Sequence, residues 1–256
     1  MEGFFTKAFL EMDDAARESF YRTVILNDPS EYAAEKRVEY YKTQLRSMGE
    51  NVRIGIGVKI ENPHLISLGE GTVLSDGVTL IAREGSEIIL DDHVLLCERV
   101  YLDTEQADGY IHVGRRTYVG TGTTLFGHKG LEIGDHVLMA QNITLTPYSH
   151  VFDDPTVNII KQGGHSKKVT IGRDSYIGMG VCIMYSGDIG EGSVIGAHST
   201  VVKPIPPYSV AVGTPARVIK KREQKYQTPR SRTRLRGSFC EIGLTLCVLI
   251  SRSGMF

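Results

Sequence analysis

The hydrophobic positions of the chain follow a six-residue period through most of its middle. From Ile171 to Val201 an aliphatic residue stands at every sixth position, usually followed by glycine. A period of six fits neither an α-helix, at about 3.6 residues per turn, nor a plainly alternating strand. It predicts a short strand and a tight turn, repeated many times. The same period appears earlier at Ile54, Ile60, Ile66, Leu68, Leu74, Leu80, Leu90, Leu96, Leu102, Val113, Val119, Leu125, Ile133, Met139 and Leu145.

The hexads group in threes, which predicts a triangular coil. Groups start at residues 68, 90, 113, 133, 171 and 189, and the extra residues between complete groups number 4, 5, 2, 20 and 0. The extra residues always fall at the same point of the coil, so we expect the inserts to leave from one shared corner. Aliphatic side chains should stack inward from coil to coil, about 4.8 Å apart. The predicted fold class is therefore mostly β, a parallel β-helix with an N-terminal helical segment.

The first 50 residues lack this period and are predicted to form a helical cap over the open edge of the first coil. The stretch Asp28-Pro29-Ser30-Glu31 is typical of a helix start, and Gly49 is expected to end that helix. We expect its buried face to hold Ala34, Val38, Tyr41, Leu45 and Met48. The predicted domains are this cap at 1–50, the repeat domain at 51–222 with a loop at 151–170, and a basic, poorly ordered tail at 223–256.

Composition excludes some functions and partners. The chain has 256 residues, enough for a core of its own, and its net charge of −1 gives no electrostatic case for nucleic acid. No apolar stretch approaches the roughly 20 residues of a membrane span, and the first residues carry acids where a signal peptide has an apolar core. The cysteines form no CxxC pair, so we expect reduced thiols in a cytoplasmic protein. They are Cys97, Cys182, Cys240 and Cys247.

The period breaks after Leu145, and His150 stands at the root of the resulting insert. A loop of this length in a tight solenoid is usually functional. An ordinary imidazole, with a pKa of about 6.5, is largely neutral at pH 7 and suits a general base. His150, at the edge of the solenoid wall, therefore carries a side chain suited to proton transfer, and the insert also contains Asp153 and Asp154. Three other histidines occupy the fourth place of their hexads, which should point outward: His93, His136 and His198.

Several runs resemble one known family. IGRDSYIG, IGEGSVIGAHSTVV and VGTPARVIKKR are similar to the hexapeptide-repeat acyltransferases, and the resemblance covers roughly residues 54–222. In that family the solenoid is a left-handed β-helix and the active unit is a trimer. The insert SHVFDDPTVNIIKQGG resembles the corresponding loop of O-acetyltransferases that modify maltose, galactosides and surface polysaccharides.

The resemblance implies a homotrimer that transfers an acetyl group from acetyl-CoA to a sugar hydroxyl, with His150 as general base. Acetyl-CoA would be a co-substrate, with no permanently bound cofactor and no metal. Galactoside-type enzymes place an acid that contacts the sugar where this chain has His128, and an Asn where it has Gly120. The acceptor should therefore differ from a galactoside or maltose, with His128, Asp153 and Asp154 as candidate contacts to it. The positions that match donor contacts are Gly178, Met179, Ala197, Val202, Lys203, Arg217 and Lys220.

Other functions stay open at this point. A small xenobiotic alcohol is the alternative acceptor, and a non-catalytic structural trimer would show the same hexads. The carbonic anhydrase branch of the same solenoid needs three histidines on zinc, and its HxxxxH spacing is absent. A nucleotidyltransferase or a serine acetyltransferase would carry a larger domain before the solenoid.

Overall fold

The computed structural model describes residues 12–223, so the predicted tail lies outside the described residues apart from Glu223. Between residue 12 and the first strand, the structure has two helices, α1 (Asp14–Phe20) and α2 (Glu31–Lys42), with one π-helical turn at Tyr21–Ile25 between them. Asp13 caps α1, since its carboxylate accepts a hydrogen bond from the backbone N–H of Ala16 at 2.7 Å. No helix within residues 12–223 is both long and apolar enough to cross a membrane.

The predicted ends of the second helix are wrong. Its N-cap is Ser30, whose hydroxyl accepts from the N–H of Ala33, while Asp28 accepts from the N–H of Ser30 and forms the preceding turn. The helix ends at Lys42, well before Gly49, because residues 47 and 48 form the first strand of the solenoid and pair with residues 67 and 68. The first coil therefore begins before residue 51.

The predicted buried face is confirmed in part, since Tyr41 and Leu45 are buried and Val38 and Met48 pack, partly buried, against the core. Within α2 itself the burial differs from the prediction. The buried side chains are Ala33, Arg37 and Tyr41, and Ala34 lies only partly buried beside them. Arg37 is buried because its guanidinium donates to three backbone carbonyls, those of Ile25, Asp28 and Ile54, at 2.8–3.0 Å. Charge-assisted bonds of this kind compensate the loss of water around a buried cation. Arg37 thereby ties the helical segment to the first coil.

The solenoid has three faces, each a sheet whose neighbouring strands come from successive coils. The first sheet contains β1 (Ser47–Met48), β4 (Ile66–Leu68), β7 (Glu87–Leu90), β10 (Tyr110–Val113), β13 (Leu131–Ile133) and β18 (Val169–Ile171). The second contains β2 (Arg53–Ile54), β5 (Val73–Leu74), β8 (Leu95–Leu96), β11 (Tyr118–Val119), β14 (Leu138–Met139), β19 (Tyr176–Ile177), β21 (Val194–Ile195), β23 (Ser209–Val212) and β24 (Arg217–Lys221). The third contains β3 (Lys59–Glu61), β6 (Thr79–Ile81), β9 (Tyr101–Asp103), β12 (Thr124–Phe126), β15 (Thr144–Leu145), β20 (Cys182–Ile183) and β22 (Thr200–Val201). Short 3-10 turns lie at Pro63–Leu65 and Ile159–Lys161.

The predicted coil register is confirmed. On the first sheet Leu68 pairs with Leu90, Leu90 with Val113, Val113 with Ile133 and Ile133 with Ile171. All five side chains are buried. Burying an aliphatic side chain of this size contributes about 1.5–3 kcal/mol, so the inward stack is the main source of stability. The fold is the predicted parallel β-solenoid.

The inserts all leave from one corner, as predicted. Each connects a strand of the third sheet to the next strand of the first, and the long insert forms a separate antiparallel pair, β16 (Tyr148–His150) with β17 (Gly164–Ser166). The opposite turns are tight and use left-handed backbone at their fourth position. His93, His136 and His198 occupy such positions, with φ of 58°, 58° and 55°, and all three are exposed. Their outward placement is confirmed.

Candidate active site

The long insert presents His150 at the corner of the solenoid. His150 ends β16 and pairs with Gly164 of β17, and its side chain is exposed. The hairpin rises directly after Leu145, the last inward residue of its coil. His150 thus sits where a rigid wall meets a protruding loop, the position expected from the sequence.

The tip of the insert is held by its own polar side chains. The amide of Gln162 donates to the carbonyls of Asp154 and Val157 at 2.9 and 2.8 Å. The carboxylate of Asp154 accepts from the hydroxyl and the N–H of Thr156, and these bonds lower the pKa of Asp154. Asp154 therefore shapes the loop, while Asp153 is exposed. An acceptor contact by either carboxylate stays a prediction.

Tyr148 joins the two histidines singled out from the sequence. Its ring stacks on His128, with centroids 5.0 Å and planes 22° apart, and meets His150 edge-on at 4.9 Å and 85°. The ring of Phe126 lies 6.2 Å beyond His128. A continuous row of rings thus runs from the third sheet to the candidate base. Sequence analysis missed Tyr148, although a residue two positions before His150 lies on the same side of an extended strand.

Gly164 makes room for this ring. A Cβ atom at Gly164 would collide with the phenol of Tyr148, whose hydroxyl end lies over the glycine backbone. The hairpin partner of His150 must therefore lack a side chain if Tyr148 is to stay beneath the imidazole.

His128 is half-buried in the turn between β12 and β13, with a left-handed φ of 38°. Burial lowers the pKa of His128, and the nearby Glu105 and Asp103 oppose this only in part. Its Nδ1 is buried and has no hydrogen-bond partner among residues 12–223. A neutral imidazole with a free nitrogen can either donate to or accept from a hydroxyl group.

A buried carboxylate supports the wall behind these rings. Asp103 is 1 % exposed and accepts from Nε and Nη2 of Arg83 at 3.1 and 2.6 Å. It also accepts from the hydroxyl of Tyr101 at 2.9 Å and from the N–H of Glu105 at 2.8 Å. Burial, and then the bond to Asp103, raise the pKa of Tyr101 to about 12. The hexad pattern gave no indication of this network.

The residues matched to donor contacts lie on the coils that follow the insert. Gly178 is buried between coils, and a Cβ there would come within 2.6 Å of the backbone nitrogen of Ala197. Met179 and Ala197 are both exposed, and the carbonyl of Met179 accepts from the N–H of His198 at 2.8 Å. These residues form one exposed edge between the second and third sheets.

The remaining donor candidates lie near the end of the solenoid. Val202 and Lys203 directly follow β22, while Arg217 and Lys220 lie on β24, which pairs antiparallel with β23. All four side chains are exposed. Their contact with a donor stays a prediction. Within the described part of the chain, no three His, Cys, Asp or Glu side chains are grouped to hold a metal ion.

Sequence comparison finds acetyltransferases. No family model matches the chain. A probable acetyltransferase of Mycobacterium tuberculosis, Rv3034c, is 33% identical over 170 residues, which are 66% of this chain and 56% of that protein. The galactoside O-acetyltransferase of Escherichia coli is 41% identical over 112 residues, 43% of this chain and 53% of that enzyme. The chain thus spans about half the length of the curated relatives it matches.

Solved structures show the same fold. A mutant of AntD, an N-acyltransferase from Bacillus cereus crystallised with dTDP-4-amino-4,6-dideoxyglucose and coenzyme A, has a TM-score of 0.50 and 22% identity. The match covers 84% of this chain and 96% of that one. At this identity the likeness concerns the fold alone. In sequence and in fold, this chain is similar to the hexapeptide-repeat acetyltransferases, and the resemblance inferred from its motifs is confirmed.

Proposed function

We propose that the protein is an acetyl-CoA-dependent O-acetyltransferase that acts on a hydroxyl of a sugar or polysaccharide precursor. The observation that carries this proposal is the placement of His150, an exposed imidazole held against Tyr148 at the root of the only long insert between residues 12 and 223. The names of its relatives, a probable acetyltransferase and a galactoside O-acetyltransferase, support the reaction class.

The reaction is a direct transfer. The imidazole of His150 takes the proton of the acceptor hydroxyl while the oxygen attacks the thioester carbonyl of acetyl-CoA. Backbone N–H groups stabilise the negative oxygen of the tetrahedral intermediate. The intermediate then collapses, the C–S bond breaks, and the leaving thiolate takes the proton from the His150 imidazolium. The products are an acetyl ester and free coenzyme A.

The donor lies along the last coils in this proposal. Gly178, Met179, Ala197 and Val202 would meet the pantetheine arm mainly through their backbone, and the tight packing around Gly178 supports a smooth edge there. The phosphates would pair with Lys203, Arg217 and Lys220. Lys221 is a neighbouring cation whose ammonium donates to the carbonyl of Pro207 and the hydroxyl of Ser209, which leaves one of its three N–H donors for a phosphate.

Assembly into a homotrimer is part of the proposal. The outer face of the second sheet carries an apolar stripe, and Leu138 and Tyr176 in it are 48% and 40% exposed. Association would bury such a patch, and closed cyclic symmetry buries it on every copy. Sedimentation should give a concentration-independent mass of three chains, and a mass near one chain would contradict the trimer. The stripe consists of Val73, Leu95, Tyr118, Leu138, Tyr176, Val194 and Val210.

The test of function is an acceptor screen with labelled acetyl-CoA on wild type, His150→Ala and His93→Asn. We expect His150→Ala to lower kcat by about 10²–10⁴ while acetyl-CoA affinity is retained. His93→Asn is the matched control, since His93 is exposed on an outward turn and Asn tolerates its left-handed backbone. A turnover of the His150→Ala variant close to that of the wild type would contradict the assignment of His150 as the general base. Acetylation of small drug-like alcohols but no sugar would favour the xenobiotic acceptor, and absence of acetyl-CoA binding would favour a structural protein.

A further inference from the structure

A cavity of about 440 Å³ lies on the first sheet, at the corner from which the inserts leave. It is formed where the early inserts lead into strands β4, β7 and β10. Its lining includes Arg46, Leu65, Ser86, Glu87, Asp108 and Tyr110. The mechanism above uses none of these residues.

The cavity adjoins the turn that carries His128. A Cβ atom at Gly109, which lines the cavity, would collide with the carbonyl oxygen of His128. Tyr110 lies against Gly130 of the same turn, and Lys129 forms an ion pair with Asp108. The turn at 127–130 therefore separates the cavity from the row of rings that ends at His150.

The separation along the solenoid is about two coils. Asp108 belongs to the insert before β10, His128 to the next, and His150 to the one after that. With strands about 4.8 Å apart, the near edge of the cavity at Asp108 lies about 10 Å from the insert of His150 along the axis, and its far edge at Leu65 lies about 20 Å from it. One sugar ring does not span this distance, whereas a short saccharide chain lying along the corner does.

The chemistry of the cavity suits a neutral ligand rich in hydroxyl groups. Glu87 pairs with Arg46, and Asp108 pairs with Lys129, so the charges balance. The two carboxylates are 42% and 60% exposed, and a carboxylate in one ion pair keeps further acceptor positions. Tyr110 adds an aromatic ring, over which the ammonium of Lys168 lies 5.7 Å from the centroid while it also pairs with Glu132. Charged ligands gain nothing from a balanced set, whereas sugar hydroxyls can bind to each member.

We propose that this cavity is a distal saccharide subsite, and that the acceptor is an oligosaccharide or polysaccharide whose chain runs along the insert corner from the cavity to His150. The inference rests on the proposed sugar acetyl transfer and narrows its substrate class. It predicts that the enzyme prefers acceptors of two or more sugar units over monosaccharides, and that the preference depends on the cavity side chains.

The experiment compares the mono-, di-, tri- and tetrasaccharides of N-acetylglucosamine and of mannose, with the maltose and galactose series in parallel. Both kcat/KM for acetyl transfer and the dissociation constant by calorimetry are measured. We expect kcat/KM to rise about tenfold from monomer to trimer of the accepted sugar. Glu87→Gln with Asp108→Asn should remove most of that gain and leave the monosaccharide value unchanged. Glu39→Gln is the matched control, because Glu39 is an exposed carboxylate paired with Lys36 on α2.

The outcomes separate this inference from the proposed function. Acetylation of sugars with equal kcat/KM at every chain length would overturn the subsite and leave the transferase intact. Equal losses for monomer and trimer in the double variant would overturn it as well. A third outcome is that the oligomers bind without being acetylated, and that they bind more weakly to the double variant. That outcome would support the subsite and contradict the transferase. Absence of both binding and acetylation with all of the sugars would overturn both.

Discussion

The ring of His128 lies on the ring of Tyr148, with their centroids 5.0 Å apart, and Tyr148 in turn meets His150 edge-on. The two histidines come from different inserts, so Tyr148 is the side chain that fixes their relative positions. Aromatic pairs of this geometry contribute about 0.5–1.5 kcal/mol beyond their buried area, enough to favour one orientation of the imidazole.

Tyr148 is therefore expected to position His150. Tyr148→Leu should lower kcat about 10–100-fold, because a misplaced base transfers protons poorly, and should leave the KM for acetyl-CoA unchanged. Tyr148→Phe keeps the ring and should restore most of the rate. In a His150→Ala background, Tyr148→Leu should cause no further loss. Additive losses in that double variant would show that Tyr148 acts independently of His150.

Stability should depend on pH through His128. Its folded pKa lies below the unfolded value of about 6.5, so the unfolded state binds more protons as pH falls below that value. Stability is therefore full above pH 7 and declines as the pH drops through 6.5 toward the folded pKa. Urea unfolding at pH 8 and pH 5.5 measures the decline. In the His128→Asn variant, whose asparagine suits the left-handed turn, the free energy of unfolding should decline less between these two pH values. A decline equal to that of the wild type would show that His128 is not its cause.

Donor binding should depend on salt through Arg217. Arg217→Ala is expected to raise the dissociation constant of acetyl-CoA about tenfold at low ionic strength, with a smaller effect at high salt. Calorimetric titrations at two salt concentrations measure both effects. Lys59→Ala is the control, since Lys59 is an exposed cation on the first coil. If the two variants bind acetyl-CoA equally well, the phosphates lie elsewhere.

The helical cap should depend on Arg37. Arg37→Met keeps much of the packing but leaves three backbone carbonyls without their donor, and we expect a loss of about 3 kcal/mol. Lys36→Met removes a neighbouring charge that is 37% exposed and paired with Glu39 at the surface, and it should cost less than about 1 kcal/mol. Denaturant unfolding of both variants makes the comparison. If the Arg37→Met and Lys36→Met variants have the same free energy of unfolding, water molecules donate the hydrogen bonds to the three carbonyls in place of Arg37.

The coil could be predicted because one inward position per hexad must hold an aliphatic side chain, and the same requirement recurs at Leu68, Leu90 and Val113. The burial of Arg37 could not be predicted, because periodicity assigns its charge to solvent and only its carbonyl partners explain why it is buried. The contact between His128 and Tyr148 joins residues of different inserts. No spacing rule describes it, since its geometry depends on how two irregular turns stack.

Because the inserts share one corner, their length does not affect the register in which successive coils pair. Because each insert begins after a strand of the third sheet and ends before a strand of the first, a longer or shorter loop there leaves every sheet pairing in place. All three faces of the prism and two of its edges can thus stay constant while the third edge changes. Proteins that differ only in the inserts at this edge would have the same solenoid but different acceptors. Acceptor specificity could therefore be transferred from one such protein to another by exchanging these inserts.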